Sequence, residues 1–265
     1  MSITLGSIAP LGRPTGGSLN FPVPDTPAHL VYVHALPKRI RGELAGETVV
    51  DTTDARMLHE TALLPRWYLP ASDVRTDLLE PSETTTHCPF KGDARYWNVR
   101  VGDRVVTDAF WEYPIPGPGS PDLTGLMSPY VEKLDRWFEE DEEILGHPRD
   151  PFHRVDARRS SAHVVVRVRG EQVANSRRPV AIFESGLPVR WYIPLDDVRG
   201  DHLVESSTTT VCPYKGVARY WSIKMADGVV EDAVWSYAEP LLEALPAKGL
   251  VSFRGEGVEV EVTRS

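Results

Sequence analysis

The sequence predicts a mainly β protein made of two tandem homologous small antiparallel β-domains, related by internal duplication and carrying short helical turns. Three observations predict it. Segments recur at a spacing of 124 residues, the recurring segments alternate apolar and polar side chains with the period of a strand, and Gly, Pro and Asp clusters punctuate them.

The recurrence is extensive. Arg66-Trp67-Tyr68-Leu69-Pro70 returns as Arg190-Trp191-Tyr192-Ile193-Pro194, and Thr84-Thr85-Thr86-His87-Cys88-Pro89-Phe90-Lys91-Gly92 returns as Thr208-Thr209-Thr210-Val211-Cys212-Pro213-Tyr214-Lys215-Gly216. The same spacing carries Ala94-Arg95-Tyr96-Trp97 onto Ala218-Arg219-Tyr220-Trp221 and Asp108 onto Asp232. Upstream it links Glu60 to Glu184, while Arg41-Gly42-Glu43 matches Arg169-Gly170-Glu171 at a spacing of 128, which implies a four-residue loop difference. The copies run near 37 to 140 and 160 to 265. In domain terms residues 1–27 read as a loosely ordered N-terminal arm, 28–145 as the first β-repeat, 146–158 as a Pro-rich linker and 159–265 as the second β-repeat.

Taken along the chain, Arg39 to Glu43 and Val164 to Val168 fit strands. Ser72 to Leu79 and Leu195 to Leu203 each follow a Pro and contain Asp-Val-Arg, which suits short helices. Ala94 to Val101 alternates Arg95, Trp97, Val99 and Val101 against Ala94, Tyr96, Asn98 and Arg100. The Trp97 face is expected to be core, leaving Tyr96 to point its hydroxyl into a cleft. Gly102-Asp103 and Asp227-Gly228 then turn each copy into a hairpin. Pro114 to Pro121 reads as a loop. Tyr130 to Glu143 has a helix-like apolar spacing, but its repeat partner alternates like a strand, so a strand is expected there too, and the acidic run Glu139 to Glu143 reads as solvated.

Composition narrows the function. With 41% hydrophobic residues and 25% charged, the chain can bury real cores. Twenty-nine Lys plus Arg against 38 Asp plus Glu leave a net charge of −9, which disfavours nucleic acid and anionic membrane surfaces as partners. No apolar run suits a membrane helix and no secretion signal is evident, so a cytoplasmic protein is expected, with oligomeric state open. The 2 cysteines, Cys88 and Cys212, occupy equivalent positions and are expected to stay unbridged.

These residues resemble a known family. Thr-Thr-x-Cys-Pro-[Phe/Tyr]-Lys-Gly-x-Ala-x-Tyr-Trp, preceded by Arg-Trp-Tyr-x-Pro-x-x-Asp-Val-Arg, is similar to the bacterial family called domain of unknown function 427. Trp137 to Glu143 and His147-Pro148-Arg149-Asp150 resemble its two-copy actinobacterial members. The resemblance covers both repeats and implies a β-tent-like domain of twisted antiparallel sheets, without a settled reaction. Some members carry a nucleotidyltransferase label. That chemistry needs paired metal-binding carboxylates and a phosphate-cradling loop, and the chain has neither an Asp-x-Asp pair nor a Gly-rich phosphate motif, so it ranks behind the other readings.

None of the 8 histidines is read as duplicated: His87 faces Val211, His59 faces Phe183, and His202 faces Leu78. No duplicated Cys/His metal site is therefore expected, and no cofactor. The duplicated groups capable of acid, base or nucleophilic chemistry are Lys91, Cys88, Tyr96 and Glu60 in the first copy and Lys215, Cys212, Tyr220 and Glu184 in the second. Tyr68, Arg66, Thr86 and His87, with Tyr192, Arg190 and Thr210, are the expected substrate-binding residues. A lysine three residues after a cysteine, across a Pro-containing turn, is placed to activate the thiol or to serve as an amine nucleophile or acid/base group. The competing expectation for each Cys is a small buried hydrophobe, and for each Lys a solvated turn residue. Two function classes follow: a cofactor-independent small-molecule enzyme (isomerase, lyase, cyclase or hydrolase), or a ligand-binding module that does no chemistry. If Lys91 is catalytic in an accessible pocket, its loss should lower turnover and leave the melting temperature nearly unchanged.

Overall fold

The computed structural model describes residues 28–264, so the expected N-terminal arm over residues 1–27 lies outside the described residues. The chain divides into two compact units, Met1–Asp150 and Pro151–Ser265. The division falls within the stretch read as linker, and the C-terminal part of that stretch enters a strand of the second unit.

The first unit contains β1 (Val31–Ala35), β2 (Ile40–Leu44), β3 (Glu47–Thr52), β4 (Arg56–Glu60), β5 (Arg66–Pro70), β6 (Leu79–Cys88), β7 (Gly92–Val101), β8 (Arg104–Glu112), β9 (Leu126–Pro129), β10 (Arg136–Glu139) and β11 (Glu142–Glu143). They form a seven-stranded sheet in the order β1-β4-β5-β9-β8-β7-β6 and a four-stranded sheet in the order β11-β10-β2-β3. The second unit contains β12 (Val155–Arg159), β13 (His163–Val168), β14 (Glu171–Ser176), β15 (Val180–Glu184), β16 (Arg190–Tyr192), β17 (Leu203–Cys212), β18 (Gly216–Met225), β19 (Gly228–Tyr237), β20 (Val251–Phe253) and β21 (Val258–Thr263). These pair as β12-β15-β16, β14-β13-β21 and β17-β18-β19-β20, with the isolated bridge Ile193 to Val251 joining the first group to the last. Among the described residues no helix is long and apolar enough to cross a membrane.

β1 to β10 correspond in order to β12 to β21, β11 having no counterpart among the described residues, and the spacing of 124 holds further than the sequence comparison took it. The β2–β3 turn places Ala45 and Gly46 at φ 50 and 82, and the β13–β14 turn places Arg169 and Gly170 at φ 50 and 84. Both pairs carry their β-bulges at equivalent points, between Gly42/Glu43 and Val166/Arg167. This corrects the expected four-residue shift: Gly46, and not Gly42, is the counterpart of Gly170. The expected single helices are also corrected, since each is two 3₁₀ turns, Ala71–Asp73 and Thr76–Leu78 in one unit and Leu195–Asp197 and Gly200–His202 in the other.

Successive side chains of the large sheet bury on opposite faces, as the pleat requires. Trp67, Phe110 and Met127 enter one cluster with Ile40, Leu44, Val50 and Trp137, against which Trp97 packs. Tyr68, Tyr96, Trp111 and Leu126 enter a second cluster with Leu58, Tyr113 and Leu123. The second unit repeats both, one aliphatic around Val166, Ile193 and Phe253, the other aromatic around Tyr192, Tyr220, Trp235 and Tyr237. The expectation that the Tyr96 hydroxyl points into an open cleft is therefore corrected: Tyr96 and Tyr220 are each 8% exposed, and the exposed side chains along β7 are Asp93, Arg95 and Arg100. The last element of the first copy is a strand as expected, β10, paired to β2. Its acidic end is not simply solvated, because the largely buried Glu139 accepts an ion pair from Lys38.

Candidate functional site: a buried histidine–glutamate–lysine cluster

Each Lys-Gly motif closes a hairpin. Cys88 pairs with Gly92 across β6 and β7, and the Lys91 N–H donates to the Cys88 carbonyl at 3.3 Å. Gly92 takes φ 103, and a Cβ there would lie 2.9 Å from the Gly117 nitrogen of the following loop, so the glycine permits both the turn and the close approach. Gly117 in turn donates to the Lys91 carbonyl at 2.9 Å. The lysine backbone is held from both sides.

Its side chain turns inward. Lys91 Nζ donates to Glu60 Oε2, and Lys215 Nζ donates to Glu184 Oε2. The Lys91 and Glu60 side chains are 8% and 7% exposed, and those of Lys215 and Glu184 11% and 7%. The reading of these lysines as solvated turn residues is thereby corrected, and so is the expectation that Lys91 can be lost without cost in stability. Removing one partner of a buried pair leaves an uncompensated charge.

The second oxygen of each glutamate is also taken. His29 Nε2 lies 3.0 Å from Glu60 Oε1, and His153 Nε2 lies 3.1 Å from Glu184 Oε1. His29 stacks on Phe90 with centroids 3.6 Å apart, and His153 tilts against Tyr214 at 4.4 Å. His29 and His153 are 124 residues apart, so a duplicated histidine does exist. The sequence comparison missed it because the copies were begun near residues 37 and 160. Burial works to raise the Glu184 carboxyl, but the hydrogen bonds from His153 and Lys215 and their positive charges outweigh it and hold the group below its usual range.

Tyrosines wall the cluster. Tyr68 is 1% exposed, and burial, reinforced by the Glu60 charge, pushes its phenol well above the ordinary tyrosine range against an opposing hydrogen bond from Trp111. Tyr113, which the sequence reading also missed, is raised by burial and then by its neighbours Tyr68 and Cys88, and the Lys91 ammonium stands 6.0 Å above its ring. Tyr192 and Tyr237 repeat this in the second unit, where Trp235 Nε1 donates to the Tyr192 hydroxyl at 2.9 Å. Thr86 Oγ1 lies 2.8 Å from the Tyr96 hydroxyl, and Thr210 Oγ1 lies 2.9 Å from that of Tyr220. Cys88 and Cys212 are unbridged and half-buried, each packed against its tyrosine cluster.

The fold thus brings together Glu60, Tyr68, Thr86, Cys88, Lys91 and Tyr96, and likewise Glu184, Tyr192, Thr210, Cys212, Lys215 and Tyr220. It does not bring in all the expected residues. The Arg66 guanidinium lies 5.9 Å from the Trp111 ring centroid and lines a separate cavity of about 390 Å³ with Val131, Trp137 and Ile144. Arg190 takes the same place over Trp235 at 5.9 Å. His87 is exposed and pairs across the hairpin with Asp93 at 2.6 Å. A groove of about 470 Å³ there is lined by Thr85, Thr86, His87 and Asp93, and takes in neither Tyr68 nor Tyr96. Asp108 and Asp232 have a structural role. Each adopts a left-handed φ, 51 and 50, beside the bulge between its two hairpin strands, and each carboxylate accepts a threonine hydroxyl, from Thr84 at 3.0 Å and Thr208 at 2.7 Å.

A family model described as a domain of unknown function (DUF427) matches the chain twice, over residues 32–140 and 156–264. The two matches begin and end 124 residues apart, as the strands do. No curated protein matches the chain.

Proposed function

We propose, from the premise that the chain belongs to the domain of unknown function DUF427 family, that each domain acts on a small molecule by proton transfer at its histidine–glutamate–lysine cluster, without a cofactor. The observation that carries this reading is the carboxylate of Glu60, held between His29 and Lys91, and rebuilt around Glu184 by His153 and Lys215. Burying the lysine–glutamate pair is costly, and aliphatic packing of the same volume is often at least as stable, so stability alone gives little reason to build the cluster twice.

The roles follow from exposure and chemistry. His29 is 26% exposed and His153 17%, which makes the histidine the member that solvent and a ligand reach first. An imidazole oriented by a carboxylate suits general acid or base work. Behind it the lysine ammonium supplies a fixed positive charge for an anion that develops during reaction. Cys88 and the Thr86–Tyr96 hydroxyl pair border the same tyrosine cluster, as a nucleophile and a proton relay. Unbridged thiols in both copies fit a cytoplasmic setting.

The depth of Lys91 and Glu60 favours a second reading, a binding module in which the cluster rigidifies the tyrosine wall and the ligand is left unchanged. Incubation with defined mixtures of esters, lactones, keto acids and amino acids, followed by proton NMR, separates the two. Conversion by the wild-type chain that falls by about 10² or more in the His29→Gln/His153→Gln double variant, with native circular dichroism, supports catalysis. A compound bound and left unchanged by both proteins defeats it in favour of the binding module.

A further inference from the structure

A different pair of histidines lies elsewhere in the first domain. His34 Nε2 and His59 Nε2 are 3.1 Å apart. The sheet dictates their meeting: in the antiparallel β1–β4 pair Tyr32 stands opposite His59, so His34, two residues along β1, shares that face as the diagonal neighbour.

The far side of each ring decides what lies between them. His34 Nδ1 is 2.8 Å from the Ala35 carbonyl oxygen, which can only accept, so that nitrogen carries its hydrogen. His59 Nδ1 faces the Asp150 carboxylate at 3.8 Å, which favours a hydrogen there as well. When one ring carries its hydrogen on Nε2 the two share a hydrogen bond, and when both carry it on Nδ1 the two Nε2 lone pairs face each other and a cation between them is held by both. A proton can fill that place only by creating an imidazolium. His59 is 5% exposed, so a charged imidazolium there carries the cost of burying a charge. A divalent ion instead uses the neutral form of both rings. Zinc–nitrogen bonds of about 2.0–2.1 Å at a tetrahedral angle set two ligand nitrogens about 3.3 Å apart, a few tenths of an ångström from the spacing present. The rings, now 15° from parallel, need only turn so that their lone pairs converge to one side of the line joining them.

We propose that His34 and His59 bind one divalent transition ion through their Nε2 atoms. Among the described residues no group of three His, Cys, Asp or Glu side chains is placed to hold a metal, so water completes the coordination. Ala35 and Asp150 orient the two rings from behind, in the manner of outer-shell partners. The site is confined to the first domain, since the positions 124 residues on are Arg158 and Phe183.

Calorimetric titration of the tag-free full chain with zinc tests this, using His34→Arg and His59→Phe, which install the second domain's residues, together with His34→Ala and the exposed control His87→Ala. One zinc per chain is expected at this site, weakened by more than about 10-fold in the His34 and His59 variants and unchanged in His87→Ala. In nitrogen-detected NMR the Nε2 signals of His34 and His59 should move on zinc addition. Should His59→Phe fold poorly, His34→Ala at its half-buried position decides. No saturable binding by the wild-type chain, or affinity in His34→Ala equal to wild type, overturns the proposal.

Discussion

The two domains share their interior and differ at their edges. Both bury a lysine on a glutamate beside a histidine, both wall it with tyrosines, and both tie Thr to Tyr by a hydroxyl contact. Around that interior the first domain carries His34, His87 and Asp93 where the second carries Arg158, Val211 and Val217. Buried ionisable groups depend on every partner at once, whereas an exposed side chain answers chiefly to solvent. Two copies of one fold therefore hold the cluster in step while their rims diverge, and this makes each domain a control for the other.

The largest expected effect tests the shared part. Lys91→Met removes the charge that faces buried Glu60, and Lys215→Met does the same to Glu184; each should cost about 3–5 kcal/mol in its own domain. Urea denaturation followed by tryptophan fluorescence measures both. Adding Glu60→Gln to Lys91→Met should recover much of the loss, because no orphaned charge then remains. A loss below about 1 kcal/mol in either domain would show that the pair is solvated, and would break the equivalence.

A smaller effect is expected from acid. Glu184 is held below its ordinary value of 4.5, so in the unfolded chain it takes up a proton at higher pH than in the folded one. Its contribution to stability is complete above pH 4.5 and is lost as pH falls through the lower folded value. Glu184→Gln/Lys215→Met, which removes the carboxyl without orphaning the lysine, should therefore flatten the acid limb of the stability profile relative to Lys215→Met alone. A slope unaltered below pH 4.5 in that variant would refute the assignment.

The smallest effect lies at the rim. His87 and Asp93 are 69% and 87% exposed, so their 2.6 Å contact should contribute no more than about 0.5 kcal/mol. The double substitution His87→Val/Asp93→Val, which copies the second domain, should leave the thermal midpoint within the error of the scan. A clear loss would mean that the first domain uses this pair in its fold, and the contrast between shared interior and free rim would need redrawing.

Much of this was legible without coordinates. The duplication, the hairpin at Gly102-Asp103, the strand at the end of the first copy and the equivalence of Cys88 with Cys212 all follow from spacing and alternation. So does the grouping of Lys91, Glu60 and Tyr68 as candidates, because duplicated polar residues stand out against drifting surface positions. Other parts were not legible. Alternation along Ala94 to Val101 separates Tyr96 from Trp97, but a period of two says only that they face opposite ways. Nothing local states that both sides of the sheet are covered.

What the sequence by itself determined is therefore a matter of near neighbours: which residues turn, which alternate and which recur after 124 positions. Tertiary structure alone decided the rest. Lys91 meets Glu60, and Glu60 meets His29, each across 31 residues, because β4 and the β6–β7 hairpin are joined in one seven-stranded sheet by pairings that local periodicity does not encode. Whether a lysine in a Pro-x-Lys-Gly turn reaches water or a buried carboxylate depends on what the fold places beneath the turn. Here the fold places Glu60 there, among tyrosines that exclude water, and the physical character of the site follows from that exclusion.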